Sequence, residues 1–128
     1  MSEHMITPGL SLEMKFEVLP EHSAAHIGSG TVGVLSTPSM IAFIEITART
    51  LLDAHLPEGS STVGTRVDIR HLAASRVGAI VRVKAEVIEV DRRAVTLQVD
   101  AWEGEKQIGS GRHERFVIDV ARFLGKIQ

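Results

Sequence analysis

Much of the chain alternates between apolar and polar residues, and one long stretch does not. In residues 11–18, Leu12, Met14, Phe16 and Val18 share one face while Glu13, Lys15 and Glu17 share the other. This period of two predicts a strand with one buried side. Residues 79–90 repeat the pattern, with Val81, Val83, Ala85 and Val87 set against Arg82, Lys84 and Glu86, until the phase slips at Ile88. A slip of that kind predicts a bulge or strong coiling. In residues 94–102, Val95, Leu97, Val99 and Ala101 face in and Thr96, Gln98 and Asp100 face out. Residues 62–71 and 106–118 are strand-like too, the first interrupted by Gly64 and the second by Gly109 and Gly111.

Residues 37–56 break the rhythm. Met40, Ile41, Phe43, Ile44, Ile46, Ala48, Leu51 and Leu52 make a helix that is apolar on most of its circumference, and such a helix expects burial. Thr37 is placed to cap it, Pro38 to fill its first position, and Pro57, Glu58 and Gly59 to stop it. Residues 1–10 read as a frayed lead-in, 21–35 as a loop rich in Gly and Ser, and 119–126 as a short final helix.

The order is strand, long helix, four strands, with the turns at 91–93 and 103–105 short enough to force antiparallel neighbours. A sheet with one apolar face must cover it, and the helix is the only large apolar object available. The chain therefore predicts a single α+β domain over residues 1–128, its five-stranded antiparallel sheet curled around one helix. One sheet cannot enclose a helix apolar all round, so a second copy is expected to meet the rest, giving a homodimer.

Composition narrows the functions open to such a domain. In 128 residues, 44% are hydrophobic and 23% charged, with a formal net charge of -2. That balance fits a globular protein and gives no argument for nucleic acid or an anionic membrane surface. There is no cysteine, which removes disulfides, thiolate metal sites and a Cys nucleophile and fits a reducing compartment. The N-terminus lacks a basic region followed by an apolar run, and the helix carries Glu45, Arg49 and Asp53. A cytoplasmic location, with no membrane span, is expected.

Glu45 is the residue out of place. It lies between Ile44 and Ile46, and a carboxylate in a dry site needs a partner or a task. One reading pairs it with Arg49 one turn on. The other makes it a general base or nucleophile. His71, ending a strand, supplies a proton-transfer group near neutral pH. Ser36 and Thr37 sit at a helix start, where free N–H groups and the macrodipole favour anions. Gly64 marks a place where something approaches the backbone closely, and Arg115 shares its alternation with Gly109, Gly111 and His113. His22 and His26 have the spacing of paired ligands but lie in a loop without the Glu of HExxH, so they read as solvated and no metal is expected. Gly28, Gly30 and Gly33 do not follow a strand, which argues against a phosphate loop.

Thr37 opening the helix, Glu45 within it, the run PEGSSTVGT, His71 in VDIRHLAAS and GSGRHERFVI near the end together resemble the hotdog fold of acyl-CoA thioesterases, closest to the fluoroacetyl-CoA thioesterase group. The resemblance runs from about Ser11 to the C-terminus. It implies a catalytic set of Thr37, Glu45 and His71 at a dimer interface, with Gly64 contacting the acyl part and Arg115 in the pocket. Ser36, beside Thr37, is a further substrate-binding candidate. It also implies hydrolysis of an acyl-CoA without metal or redox cofactor, CoA being part of the substrate. The family's lid bears a Phe between the first strand and the helix. Residues 22–36 hold neither Phe nor Trp, a departure that puts selectivity for the fluorinated substrate in doubt, so a broader or different acyl group of small size is expected, a fluoroacetyl-like one included. Arg76, Arg92, Arg93 and Lys106 are candidates to meet the CoA phosphates. Two other functions fit a hotdog domain. One is a hydratase or dehydratase, which would use an Asp–His pair not evident here. The other is a non-catalytic acyl-thioester-binding module, since fold does not fix function.

Overall fold

The computed structural model describes residues 5–127. His4 and the start of the expected lead-in lie outside them. Five strands, β1 (Ser11–Glu17), β2 (Ser60–His71), β3 (Ile80–Asp91), β4 (Ala94–Glu103) and β5 (Lys106–Asp119), form one antiparallel sheet in the order β1-β3-β4-β5-β2. Helices α1 (Ala24–Ile27), α2 (Thr37–Asp53) and α3 (Val120–Gly125) complete it. The sheet wraps α2. Val81, Val83, Ala85 and Val87 of β3 and Val95, Leu97, Val99 and Ala101 of β4 pack into one core with Met40, Phe43, Ile44, Ala48, Leu51 and Leu52 of α2. Each large side chain buried this way contributes about 1.5–3 kcal/mol.

The alternation predicted from sequence is the alternation found, and the slip at Ile88 is a register shift between Val87 and Glu89. Other expectations need correction. The segment before β1 is docked rather than frayed. Ile6 is buried, the Met5 N–H donates to the His55 carbonyl, and Val87 and Leu10 share a further backbone bond. The region expected to be plain loop contains α1, capped by the Ser23 hydroxyl, and is tied down by bridges pairing Ser23 with Leu35 and Val34 with Arg76. One helical turn is too short to show a period of 3.6. Nor is α2 buried all round: Ile46 is 39% exposed, so a stripe of the helix beside β2 faces outward.

Strand β2 lies at one end of the strand order. Among the described residues its outer edge has no neighbour in the sheet, and the strand carries Gly64 and His71.

Candidate active site

The site begins at the first turn of α2. Ser36, not Thr37, is the N-cap: its hydroxyl accepts the Ser39 N–H at 3.1 Å. Both residues are good caps, and the chain enters the helix one position earlier than the Thr-Pro signal indicated. Ser36 is buried, and its hydroxyl is taken up by this cap. The Thr37 hydroxyl is thereby released. It stands 2.8 Å from Nδ1 of His71 at the end of β2. Thr37 is exposed, and its N–H belongs to the unpaired donors of a helix start. Burial lowers the His71 pKa below its ordinary 6.5, against a smaller opposing pull from the Ala73 backbone. Near neutral pH the ring is therefore an uncharged base with a hydroxyl against one nitrogen. When Nδ1 carries no proton, the Thr37 O–H donates to it.

Two turns along α2, about 12 Å on, Glu45 faces β2 and β5. Its Oε2 lies 3.6 Å from Nη1 of Arg115 and 4.0 Å from Nε2 of His113. A Cβ placed on Gly64 would come within 2.6 Å of that oxygen. The missing side chain at 64 is thus what lets the carboxylate rest on the strand. The pairing of Glu45 with Arg49 does not form: Arg49 binds Asp53 at 2.9 Å. The dry site expected for Glu45 is also corrected. Its side chain is 42% exposed, because Ile44 faces the core while Ile46 turns outward.

Arg115 is buried. Its Nε donates to the Thr62 hydroxyl at 2.7 Å and Nη2 to the Thr62 carbonyl at 2.9 Å. Burial lowers its pKa, Glu45 and Asp53 raise it, and Arg49 lowers it; a guanidinium stays charged through such shifts. His113 and Thr62 had no assigned role in the sequence. The legible signal was spacing, since residues 113 and 115 share a strand face. Gly109 and Gly111 serve packing: added Cβ atoms would meet Met40 of α2 and the β2 backbone at Asp68, respectively.

The expected residues therefore form two groups within one chain: Thr37 with His71, and Glu45 with Arg115, His113 and Gly64. Among the described residues no hydrogen bond or ion pair links Glu45 to Thr37 or His71. Nor does any cluster of three or more His, Asp or Glu suit a metal ion among those residues. His26 is exposed, as expected. His22 is half-buried, its Nδ1 accepting the Leu19 N–H and its ring edge-on to Phe43 at 4.9 Å. The four cations considered for CoA phosphates lie at two ends of the sheet. Lys106, which donates to the Ala74 carbonyl, and Arg76 flank the His71 end. Arg92 and Arg93 precede Ala94, which pairs with Phe116 beside Arg115.

Residues 18–121 match the family model described as FlK, fluoroacetyl-CoA-specific thioesterase. The chain belongs to this family. It is 34% identical over 95 residues, 74% of its own length, to the fluoroacetyl-CoA thioesterase of Streptantibioticus cattleyicolor, and covers 68% of that protein. The solved structure of the fluoroacetyl-CoA thioesterase FlK superimposes with a TM-score of 0.90 at 29% identity over 95% of both chains. A thioesterase superfamily member from Thermus thermophilus superimposes with a TM-score of 0.87 at 29% identity, over 95% of this chain and 90% of that one. A hot-dog-like protein from Thermanaerovibrio acidaminovorans shares the fold, with a TM-score of 0.86 at 23% identity over 94% and 89% of the two chains. The α+β fold of this thioesterase family member is thus the hotdog fold.

Proposed function

We propose that this thioesterase hydrolyses short acyl-CoA thioesters to the free acid and CoA, as a homodimer in the cytoplasm, with Thr37, Glu45 and His71 as its catalytic set. The observation that carries the reading is the 2.8 Å contact between the Thr37 hydroxyl and an imidazole biased toward its neutral form. Thioester hydrolysis needs an attacking oxygen, donors for the developing oxyanion and a proton for the departing thiolate. Glu45 supplies the attack, directly or by taking a proton from water. Thr37 offers the oxyanion its helix-start N–H, and also its hydroxyl when Nδ1 of His71 carries the proton and donates to the hydroxyl oxygen. His71, neutral at rest, takes up the proton that the attacking water releases and gives it to sulfur as the C–S bond breaks. Neither a metal nor a redox cofactor is called for.

Dimerisation joins the two groups. Gly64 and His71 stand seven positions apart on the open edge of β2. Antiparallel pairing of two copies of this strand about the point between Val67 and Asp68 sets each His71 opposite the partner's Gly64. Thr37 and His71 of one protomer then face the partner's Glu45. Val67 and Ile46, 40% and 39% exposed, lie along this surface, and an unpaired edge is a ready template for another strand.

The test is release of free thiol from a panel of acyl-CoAs. Glu45→Gln is expected to lose about 10²-fold or more in kcat/KM, the scale of acid–base catalysis. Unchanged rates would overturn the role of Glu45, and CoA binding without thiol release from any acyl-CoA would favour a binding module. With no Phe in the lid, the kcat/KM values for fluoroacetyl- and acetyl-CoA are expected within about tenfold of each other, the difference one small contact supplies.

A further inference from the structure

His113 is the one fully buried imidazole among the described residues, and its role in packing does not account for its polar contacts. Its Nδ1 lies 2.8 Å from the Arg66 carbonyl, and its Nε2 lies 3.1 Å from Nη1 of Arg115. A carbonyl only accepts and a guanidinium only donates. The two neighbours together fix one tautomer: neutral, protonated on Nδ1, with the Nε2 lone pair aimed at Arg115.

We propose that His113 is a positioning residue that, through Nε2, holds the Arg115 guanidinium back from a full ion pair with Glu45. Three of the guanidinium nitrogens' contacts lie on the inner side, with the Thr62 hydroxyl, the Thr62 carbonyl and His113 Nε2. Against these, Nη1 reaches Glu45 only at 3.6 Å, longer than a charge-assisted hydrogen bond of about 2.7–2.9 Å. The tether gives Glu45 the field of a cation while leaving its oxygens open to react. Without the Nε2 acceptor, the buried Nη1 would have an unsatisfied N–H. Its nearest remaining acceptor is the carboxylate, and a closed Arg–carboxylate pair would occupy the oxygens that must attack or take a proton.

Other charges around the ring fit this role. Burial lowers the His113 pKa, the Arg66 carbonyl raises it, Arg115 lowers it, and Glu45 and Glu114 raise it, with the net direction downward. A protonated ring would turn an N–H against the guanidinium and release it.

The consequence for the reaction rests on the hydrolytic role proposed for Glu45, whereas the tautomer does not. The test compares two amides. In His113→Gln the amide oxygen reaches the place of Nε2 and can accept from Arg115. In His113→Asn the shorter amide reaches only the Arg66 carbonyl, so the acceptor is lost. Gln is expected to keep kcat within about threefold and Asn to lose about tenfold or more, with KM little changed, the scale of one hydrogen bond to a charged group. Thermal midpoints are measured for both, because a packing role would rank the variants by stability alone. Equal kcat in the two would overturn the proposal. Nitrogen-15 spectra of the histidine rings give a readout independent of turnover. A neutral His113 protonated on Nδ1 is expected to persist below the ordinary imidazole value of 6.5, and protonation on Nε2 would overturn it. If the unmodified protein released no thiol, the hydrolytic reading would fall while the spectra still decided the tautomer.

Discussion

Gly64→Ala separates the placement of the carboxylate from the stability of the fold. The added methyl would lie 2.6 Å from Glu45 Oε2, 3.3 Å from His113 Cε1 and 3.4 Å from Arg115 Nη1. The last two contacts are tight but close to tolerable, and the first is not. Ordinary contact begins at 3.4 Å, so the carboxylate must move by 3.4 − 2.6 = 0.8 Å or more. It is the far end of a half-exposed side chain, so it yields before the paired β2 backbone does. An alanine in a strand is also better than a glycine by about 0.5–1 kcal/mol. The expected result is a thermal midpoint unchanged or slightly raised, together with a loss of up to about 10²-fold in thiol release, the scale of a 1 Å misplacement at a reacting group. Circular dichroism melting and a thiol-detection assay on the same preparation make the comparison. Full activity at an unchanged midpoint would refute the claim that the bare backbone at 64 places Glu45. A collapsed midpoint would show that the strand moves instead.

Two further outcomes concern Thr37 and the two imidazoles. Thr37→Val keeps shape and removes the hydroxyl that faces His71. It is expected to lower kcat by about 10²-fold while Thr37→Ser stays within about tenfold, since one oxyanion donor is worth that much. The partly buried His71 and the buried His113 both have folded pKa values lowered by burial from the ordinary 6.5. The unfolded chain therefore binds more protons as pH falls through that window, and stability present above 6.5 is lost below it. Urea titrations are expected to give a falling midpoint from pH 7 toward pH 5, and a flat profile would refute the burial of these rings.

The fold was legible because most of the strands bury one face. A side chain that must face the core every second position writes that period into β1, β3 and β4, and even the bulge at Ile88 left its mark as a slipped phase. Helix α2 was legible from its apolar run and the Thr-Pro start. Its cap was not, because Ser36 and Thr37 are equally suited to the role and only the path of the preceding loop decides between them. That ambiguity mattered for the site, since the residue that does not cap has the free hydroxyl. The surroundings of Glu45 were half legible. An odd carboxylate in an apolar run is visible in sequence, but the partner that sequence offers it is one turn away on the same helix, at Arg49. Its partner in the fold lies instead seventy residues on, at Arg115, across a contact that only the curl of the sheet creates. His113 is half legible in the same way: its alternation with Arg115 is visible in sequence, but nothing local shows that the ring is buried.

The arrangement of the two groups makes one demand that single variants cannot test. If catalysis joined Thr37, His71 and Glu45 of one chain, Glu45→Gln and His71→Ala proteins would each be inactive alone and inactive together. If β2 pairs with its copy and each centre draws on both protomers, a mixed dimer behaves differently. One of its centres combines both altered residues, and the other combines both intact ones. Random exchange of equal amounts leaves half the dimers mixed, each with one working centre of two, so about one quarter of the unmodified activity is expected to return. The variants are mixed under mild denaturant to allow exchange, then assayed for thiol release, with sedimentation confirming dimers before and after. Recovery near that level requires a shared centre, because neither parent carries a complete set. Complete exchange without recovery would place Glu45 and His71 of the same chain in one centre, and would require β2 to pair in another register or not at all.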